Sequence, residues 1–194
     1  MSVDLGRVRL LGADAVGQPG QRRFRLFAQS NRGSLIVWME KEQLNSLSVA
    51  LDRALAQLSE GTVLRTEARA GGKQSPQVMP EDFPSPATYE FQAGQIGLNY
   101  DERDDLFMLG ITPFDIILQG DEEPLIQLKE EEGVSFFFTL QEAQRLSTGI
   151  SIVVGSGRPV CPLCGTPLDG GPHACVKQNG HREILQIESE DEEE

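Results

Sequence analysis

The amino-acid sequence predicts an α+β protein: an antiparallel sheet built from two strand–strand–helix units with the helices on one face, plus a small zinc-ribbon-like knuckle at the C-terminus. Two stretches, about 21–60 and 124–152, each run strand, glycine-closed turn, apolar strand, helix. Each helix directly follows an antiparallel pair, as expected when helices gather on one face of a sheet. All three cysteines and both histidines lie between Cys161 and His181, a concentration that metal ligation explains and packing does not.

In chain order, Val3 to Leu11 alternates weakly and is read as a strand or an extended arm. Gly17-Gln-Pro-Gly20 is a turn. From Gln21 to Ala28, Phe24, Leu26 and Ala28 alternate with Arg23, Arg25 and Phe27, which predicts a half-buried strand. Ser30-Asn31-Arg32-Gly33 closes a tight hairpin. Its partner strand, Leu35 to Met39, is apolar on both faces and therefore central. Glu40 to Leu58 sets Leu44, Leu47, Leu51, Leu55 and Leu58 on one helical stripe. Glu40 and Glu42 suit its positive N-terminal end, and Gly61 its stop.

Ala70 to Thr88, rich in Gly and Pro, is a loop or linker. Tyr89 to Tyr100 is strand interrupted by Gly94 and Gly97, followed by a polar turn, Asp101 to Asp105. Leu106 to Leu118 carries Pro113 and is read as two short strands or a bent one. Pro124 to Lys129 and Val134 to Phe138 are paired as a hairpin about Glu131-Glu132-Gly133. Thr139 and Glu142 form a capping box that starts a helix with Ala143, Leu146 and Ile150 inward. Trp38 and Phe136 to Phe138 are assigned to the core. The units align with Trp38 matching Phe137, Met39 Phe138, Leu44 Ala143, Leu47 Leu146 and Leu51 Ile150, as an internal duplication would leave them, or as any two strand–strand–helix units of like periodicity would match. The domains are thus a body over 1–157, a zinc-binding tail over 158–183 and an acidic disordered tail over 184–194.

The 194 residues carry a formal net charge of −13, of which −6 sits in the last seven residues and −7 on the rest. A body that stays acidic argues against binding a phosphate backbone, so nucleic acid is not the expected partner. No apolar run is long enough to span a membrane, and Asp4, Arg7 and Arg9 break up any signal-peptide core near the N-terminus. Three cysteines in a metal-type spacing suit a reducing, cytoplasmic location.

Cys161-Pro-Leu-Cys164-Gly165 is a zinc-knuckle sequence in which Gly165 permits a tight turn after the second thiolate. Pro167, Gly170, Gly171 and Pro172 leave the following loop without a core, so the metal must supply its folding free energy. Zn2+ is expected on Cys161, Cys164 and Cys175, with His173 as fourth ligand and His181 the competing candidate. A closed Cys3His set is structural. A catalytic site would need an open position and a base, and Asp169 is the one carboxylate inside the stretch. A redox pair is disfavoured, because Gly165 and Pro167 oppose the helix that would lower a thiol pKa.

Three features together resemble an uncharacterised family of actinobacterial conserved proteins, a domain of unknown function. They are Gly17 to Arg22 (G-x-P-G-Q-R), Glu40 to Leu44 (E-K-E-Q-L) and the CPLCG…H-x-C…N-G tail. The resemblance covers most of the chain, favours His173 over His181 and implies no reaction.

Asp101, Glu102, Asp104 and Asp105 are a candidate cation or acid–base cluster, set against an ordinary solvated turn. Arg22, Arg23, Arg25 and Arg32 are a candidate anion site, set against protection of a sheet edge. No nucleophile elbow, P-loop or dinucleotide motif occurs, so no catalytic or organic-cofactor residue is assigned. The expected function is a non-enzymatic interaction or scaffold protein that binds a protein partner. The alternative is an enzyme or small-ligand binder with a cleft between the two units.

Overall fold

The computed structural model describes residues 2–18, 20–58, 78–117 and 124–156. All belong to the first of two units into which the chain divides, Met1–Ser156 and Gly157–Glu194. Their elements are β1 (Val3–Val16), β2 (Arg23–Ser30), β3 (Ser34–Met39), α1 (Lys41–Leu58), β4 (Tyr89–Asp101), β5 (Leu106–Ile117), β6 (Leu125–Leu128), β7 (Val134–Thr139) and α2 (Leu140–Gly155).

Elements with short-range signals form where the sequence places them. β2 and β3 pair antiparallel from Phe24 opposite Met39 to Gln29 opposite Ser34. Their turn is closed by Ser30 N–H donating to Gly33 O (2.9 Å), while Ser30 Oγ accepts from Arg32 N–H (2.9 Å). The α1 stripe is buried at Leu44, Leu47, Leu51 and Leu55, while Leu58, expected on the same stripe, is 38% exposed at the end of the helix. α2 starts at the capping box: Thr139 Oγ1 accepts from Glu142 N–H (3.3 Å), and Glu142 Oε2 accepts from Thr139 N–H (2.7 Å).

The sheet itself differs from the expected open antiparallel one. β1 pairs antiparallel with β2 over Val8–Val16 and parallel with β7 over Val3–Arg7. β4 pairs parallel with β3 over Tyr89–Gln92 and antiparallel with β5 over Ala93–Asp101. β5 and β7 pair antiparallel, which closes a six-stranded mixed barrel in the order β1-β2-β3-β4-β5-β7. Each long strand changes partner at a bulge, between Val8 and Leu10 in β1 and between Ala93 and Gln95 in β4. An extra residue there bends the strand and increases its twist, as closure requires. A closed barrel has no pair of open faces, so the helices do not lie on one side of a sheet. They pack on each other and share the barrel's core.

The second strand–strand–helix unit is also corrected. β6 and β7 do not pair with each other. Both lie antiparallel to β5, with a 3-10 turn at Glu130–Glu132 between them. The partner of β7 is therefore β5, a single strand that keeps Pro113 within it. Pro113, which has no N–H to donate, lies opposite Ala93 at the β4 bulge, where Ala93 O accepts from Gln43 Nε2 (3.1 Å).

β1-β2-β3-α1 and β4-β5-β7-α2 share one connectivity, and the third strand of each half lies parallel to the first strand of the other. Asp14 lies opposite Arg25 and Arg25 opposite Trp38; at the same register of the second half stand Asn99, Met108 and Phe137. The helices cross at two small residues, Ser48 and Ser147, both buried. Ser48 Oγ lies 3.2 Å from Ser147 O, and Ser147 Oγ is 3.4 Å from Ser48 O and 2.8 Å from Asp52 Oδ1. The single proton of Ser147 goes to the carboxylate, the stronger acceptor.

The core is filled unequally. β5 and β7 contribute Phe107, Phe136 and Phe138, all fully buried, where β2 and β3 supply Phe24, Val37 and Met39. Phe136 and Phe138 in one half are thus matched by the smaller Val37 and Met39 at the same register of the other. Inward positions alternate with outward ones, so Trp38 and Phe137 project outside the barrel and are only partly buried. Their assignment to the core is thereby corrected. Part of the expected linker, residues 78–88, covers the outside of β2 and β3 and packs Phe83 edge-on against Phe27 (5.9 Å, 73°) with Ile36 alongside.

Candidate functional site: the face around Trp38 and the β5–β6 arm

The five candidate metal ligands, Cys161, Cys164, His173, Cys175 and His181, lie outside the described residues. Among the described residues, no group of three or more His, Cys, Asp or Glu could hold a metal ion. Between the two halves, where the alternative reading placed a cleft, lie the apolar core and the serine-lined helix crossing.

The four arginines singled out in the sequence take different roles. Arg25 makes a two-pronged ion pair with Asp14, Nε to Oδ1 at 2.6 Å and NH2 to Oδ2 at 3.0 Å. Asp14 is only 5% exposed, and its Oδ2 also accepts from Met79 N–H (3.0 Å), tying the 78–88 segment to the barrel. Arg32 reaches Asp4 Oδ2 (3.0 Å) beside the N-terminal end of β1. Arg22 donates to Ser156 O (2.7 Å) at the C-terminal end of α2. Arg23 stacks its guanidinium 4.1 Å from the centre of the Trp38 ring. Trp38 Nε1–H donates to Glu90 Oε1 (2.8 Å), which fixes the indole plane. Arg22, Arg23, Trp38, Glu40, Lys41 and Gln92 line a concavity of about 210 Å3. Gln92 Nε2 donates to Glu40 Oε1 (3.3 Å) across it.

The acidic turn after β4 is largely occupied with its own structure. Asp101 Oδ1 accepts from Arg103 N–H (2.9 Å), and Tyr100 donates its hydroxyl proton to Asp105. That hydrogen bond raises the Tyr100 pKa above its ordinary value, and the charges of Asp105, Glu102 and Asp101 raise it further. The folded state therefore holds the proton more tightly. Its contribution to stability is present below about pH 10, the unfolded value, and is lost as pH rises through the folded one. Asp105→Asn is expected to lower the Tyr100 pKa toward its ordinary value, with Glu102 and Asp101 still holding it up, read by absorbance in alkali in a Tyr89→Phe background.

Past Pro113, β5 leaves the barrel and pairs with β6 as a two-stranded arm. Phe114 lies opposite Leu128 and Ile116 opposite Ile126, which puts four apolar side chains on one face. Ile116 is 58% exposed, Ile126 66% and Leu128 40%. Gly94 lets the arm sit against β4, because a Cβ there would lie 2.6 Å from Leu128 Cδ2 and 3.0 Å from Thr112 O. The first half has no such arm: β2 turns into β3 directly at Ser30–Gly33. Alternation in the sequence shows that residues 114–117 and 125–128 suit a strand, but not how exposed their apolar side chains are.

Fold and site together define a small closed mixed barrel with two packed helices, whose concavity and apolar arm both lie on its outside. The chain belongs to a family described as protein of unknown function (DUF3090), whose model matches residues 4–175. No curated protein and no solved structure matches it. No helix among the described residues is long and apolar enough to cross a membrane.

Proposed function

We propose that this is a non-enzymatic interaction protein: the barrel presents the β5–β6 arm to a protein partner, and the tail folds around a structural Zn2+ held by Cys161, Cys164, His173 and Cys175. The observation that carries the docking role is the exposed apolar face of the arm, which the matching half of the barrel does without. Among the described residues nothing pairs with the outer edge of β6, so a partner can add a strand there. Asp115 and Glu132 beside it pair with Lys129 (2.8 and 3.2 Å), Glu130 and Glu131 add negative charge, and the acidic chain repels a second copy. A partner segment with alternating apolar residues and basic flanks fits this surface.

Support for the zinc site is the donor chemistry of the stretch and the extent of the family match, which runs through Cys175 and stops short of His181. A closed thiolate–imidazole set, a cytoplasmic location and a role in stabilising the tail go together.

Ile116→Ser with Ile126→Ser is expected to leave stability within about 0.5 kcal/mol, since both are exposed. The same variant should lose a partner that the zinc-loaded full chain captures. Equal capture by both proteins would remove the arm from the account. For the tail, one equivalent of Zn2+ should protect all three cysteines from a thiol reagent, and His173→Ala should weaken that protection more than His181→Ala.

A further inference from the structure

We infer that the concavity beside Trp38 is a binding site for a small protonated oxyanion of the phosphate type, free phosphate or a phosphomonoester. Acids outnumber bases 30 to 17 in this chain, yet Arg22, Arg23 and Lys41 converge on one hollow. Among the described residues none of the three has a carboxylate within ion-pair distance. An arginine offers five N–H donors; Arg22 uses one on Ser156 O, and Arg23 lies on the Trp38 face instead of on an acceptor.

Both guanidinium groups are held before any ligand arrives, one by a helix carbonyl and one by an indole that Glu90 fixes in turn. Preorganisation of this kind lowers the entropy lost on binding. Arg25 is a positioning residue. Clamped by buried Asp14, it lies 5.9 Å from the Trp38 ring centre and helps hold the ring.

The second half of the barrel serves as an internal control. Asn99, Met108 and Phe137 take the register of Asp14, Arg25 and Trp38, and the hollow beside them is lined by Asp101, Glu102 and Arg103. The fold therefore does not require Asp, Arg and Trp at these positions, and by the same register Leu106 and Leu140 stand where the first half has Arg23 and Lys41.

Size and charge narrow the ligand. About 210 Å3 falls below the roughly 300–1,000 Å3 of sites for drug-sized molecules. Glu40 lines the same hollow, and its carboxylate, with Oε1 already accepting from Gln92 Nε2, offers a ligand only a hydrogen-bond acceptor. A phosphate that keeps a P–O–H group satisfies it, whereas sulfate, unprotonated at neutral pH, meets a repelling carboxylate.

Trp38 is the one tryptophan in the chain, so its fluorescence reports on the site directly. The zinc-loaded full chain is titrated at constant ionic strength with inorganic phosphate, with glycerol 3-phosphate and with sulfate, and melting is followed in parallel. Expected is a saturable change and a rise in Tm with one or both phosphates, and a weaker effect from sulfate. Response to inorganic phosphate identifies the free ion, and response to glycerol 3-phosphate alone identifies the ester. Arg23→Gln and Lys41→Gln should each weaken binding about tenfold, the loss of one charge-assisted contact. Arg32→Gln, whose partner is Asp4, should leave it unchanged. Glu40→Gln should bring sulfate level with phosphate. No saturable response to either phosphate, equal response to sulfate in the unmodified protein, or phosphate binding that survives Arg23→Gln and Lys41→Gln together overturns the inference. Its failure leaves the arm untouched, because Ile116 and Ile126 lie elsewhere on the barrel.

Discussion

Asp14→Ala is expected to lower stability by about 3–5 kcal/mol, the range for removing one partner of a buried ion pair. The change strands the Arg25 guanidinium, whose side chain is 16% exposed, and takes away the acceptor of Met79 N–H. Asn and Met leave no charge stranded, and the second half carries them at this register, Asn99 exposed and Met108 half-buried. Asp14→Asn with Arg25→Met should therefore recover most of the loss, while either single change should not. Denaturant melts of the four proteins complete a double-mutant cycle with a coupling of at least about 1 kcal/mol. Additive single changes would show that the pair does not act as a unit.

Phe138→Ala is expected to cost about 3–5 kcal/mol, enough to threaten folding in a domain of ordinary stability. Phe138 is fully buried and stacks on Phe107 (5.6 Å between ring centres, 21° between planes), with Phe136 tilted 5.9 Å away. Met39 is its counterpart in the first half and shows that a thioether can fill such a place. Phe138→Met should accordingly lose no more than about half as much, because Met adapts to irregular space. The outward neighbour Phe137 is the control, and Phe137→Ala should cost clearly less.

The difference between Phe137 and Phe138 also shows why the sequence was legible in some places and opaque in others. The capping box at Thr139, the leucine stripe of α1 and the Ser30–Gly33 turn each depend on residues within one or two turns of chain. Local preference decides them, and the structure agrees. A run such as Phe136-Phe137-Phe138 is apolar throughout, so composition puts all three inside, whereas the pleat sends the middle one out. Trp38 was misplaced for the same reason.

Closure depends on the partners of β1 and β4. The parallel pairs β1–β7 and β3–β4 join segments far apart in sequence, and nothing within β1 names β7 as its neighbour. The Glu131-Glu132-Gly133 turn looked like a hairpin because two strand-like runs flank it; β5, upstream, had already taken both. Of the candidate sites, the arginine cluster was visible as composition, but only the structure separates Arg25 and Arg32, spent on Asp14 and Asp4, from Arg22 and Arg23. The arm left no signal, because a strand's alternation is the same whether or not a partner lies over it.

The most direct test is to replace the arm with the turn that the other half uses. Residues 113–132 are exchanged for Ser-Asn-Arg-Gly, which joins Thr112 to Gly133 as Gln29 is joined to Ser34. If the arm is surplus to the barrel and serves a partner, the protein should melt cooperatively within a few degrees of the original and lose the captured partner. A barrel that fails to fold, or one that still captures the partner, would contradict the account.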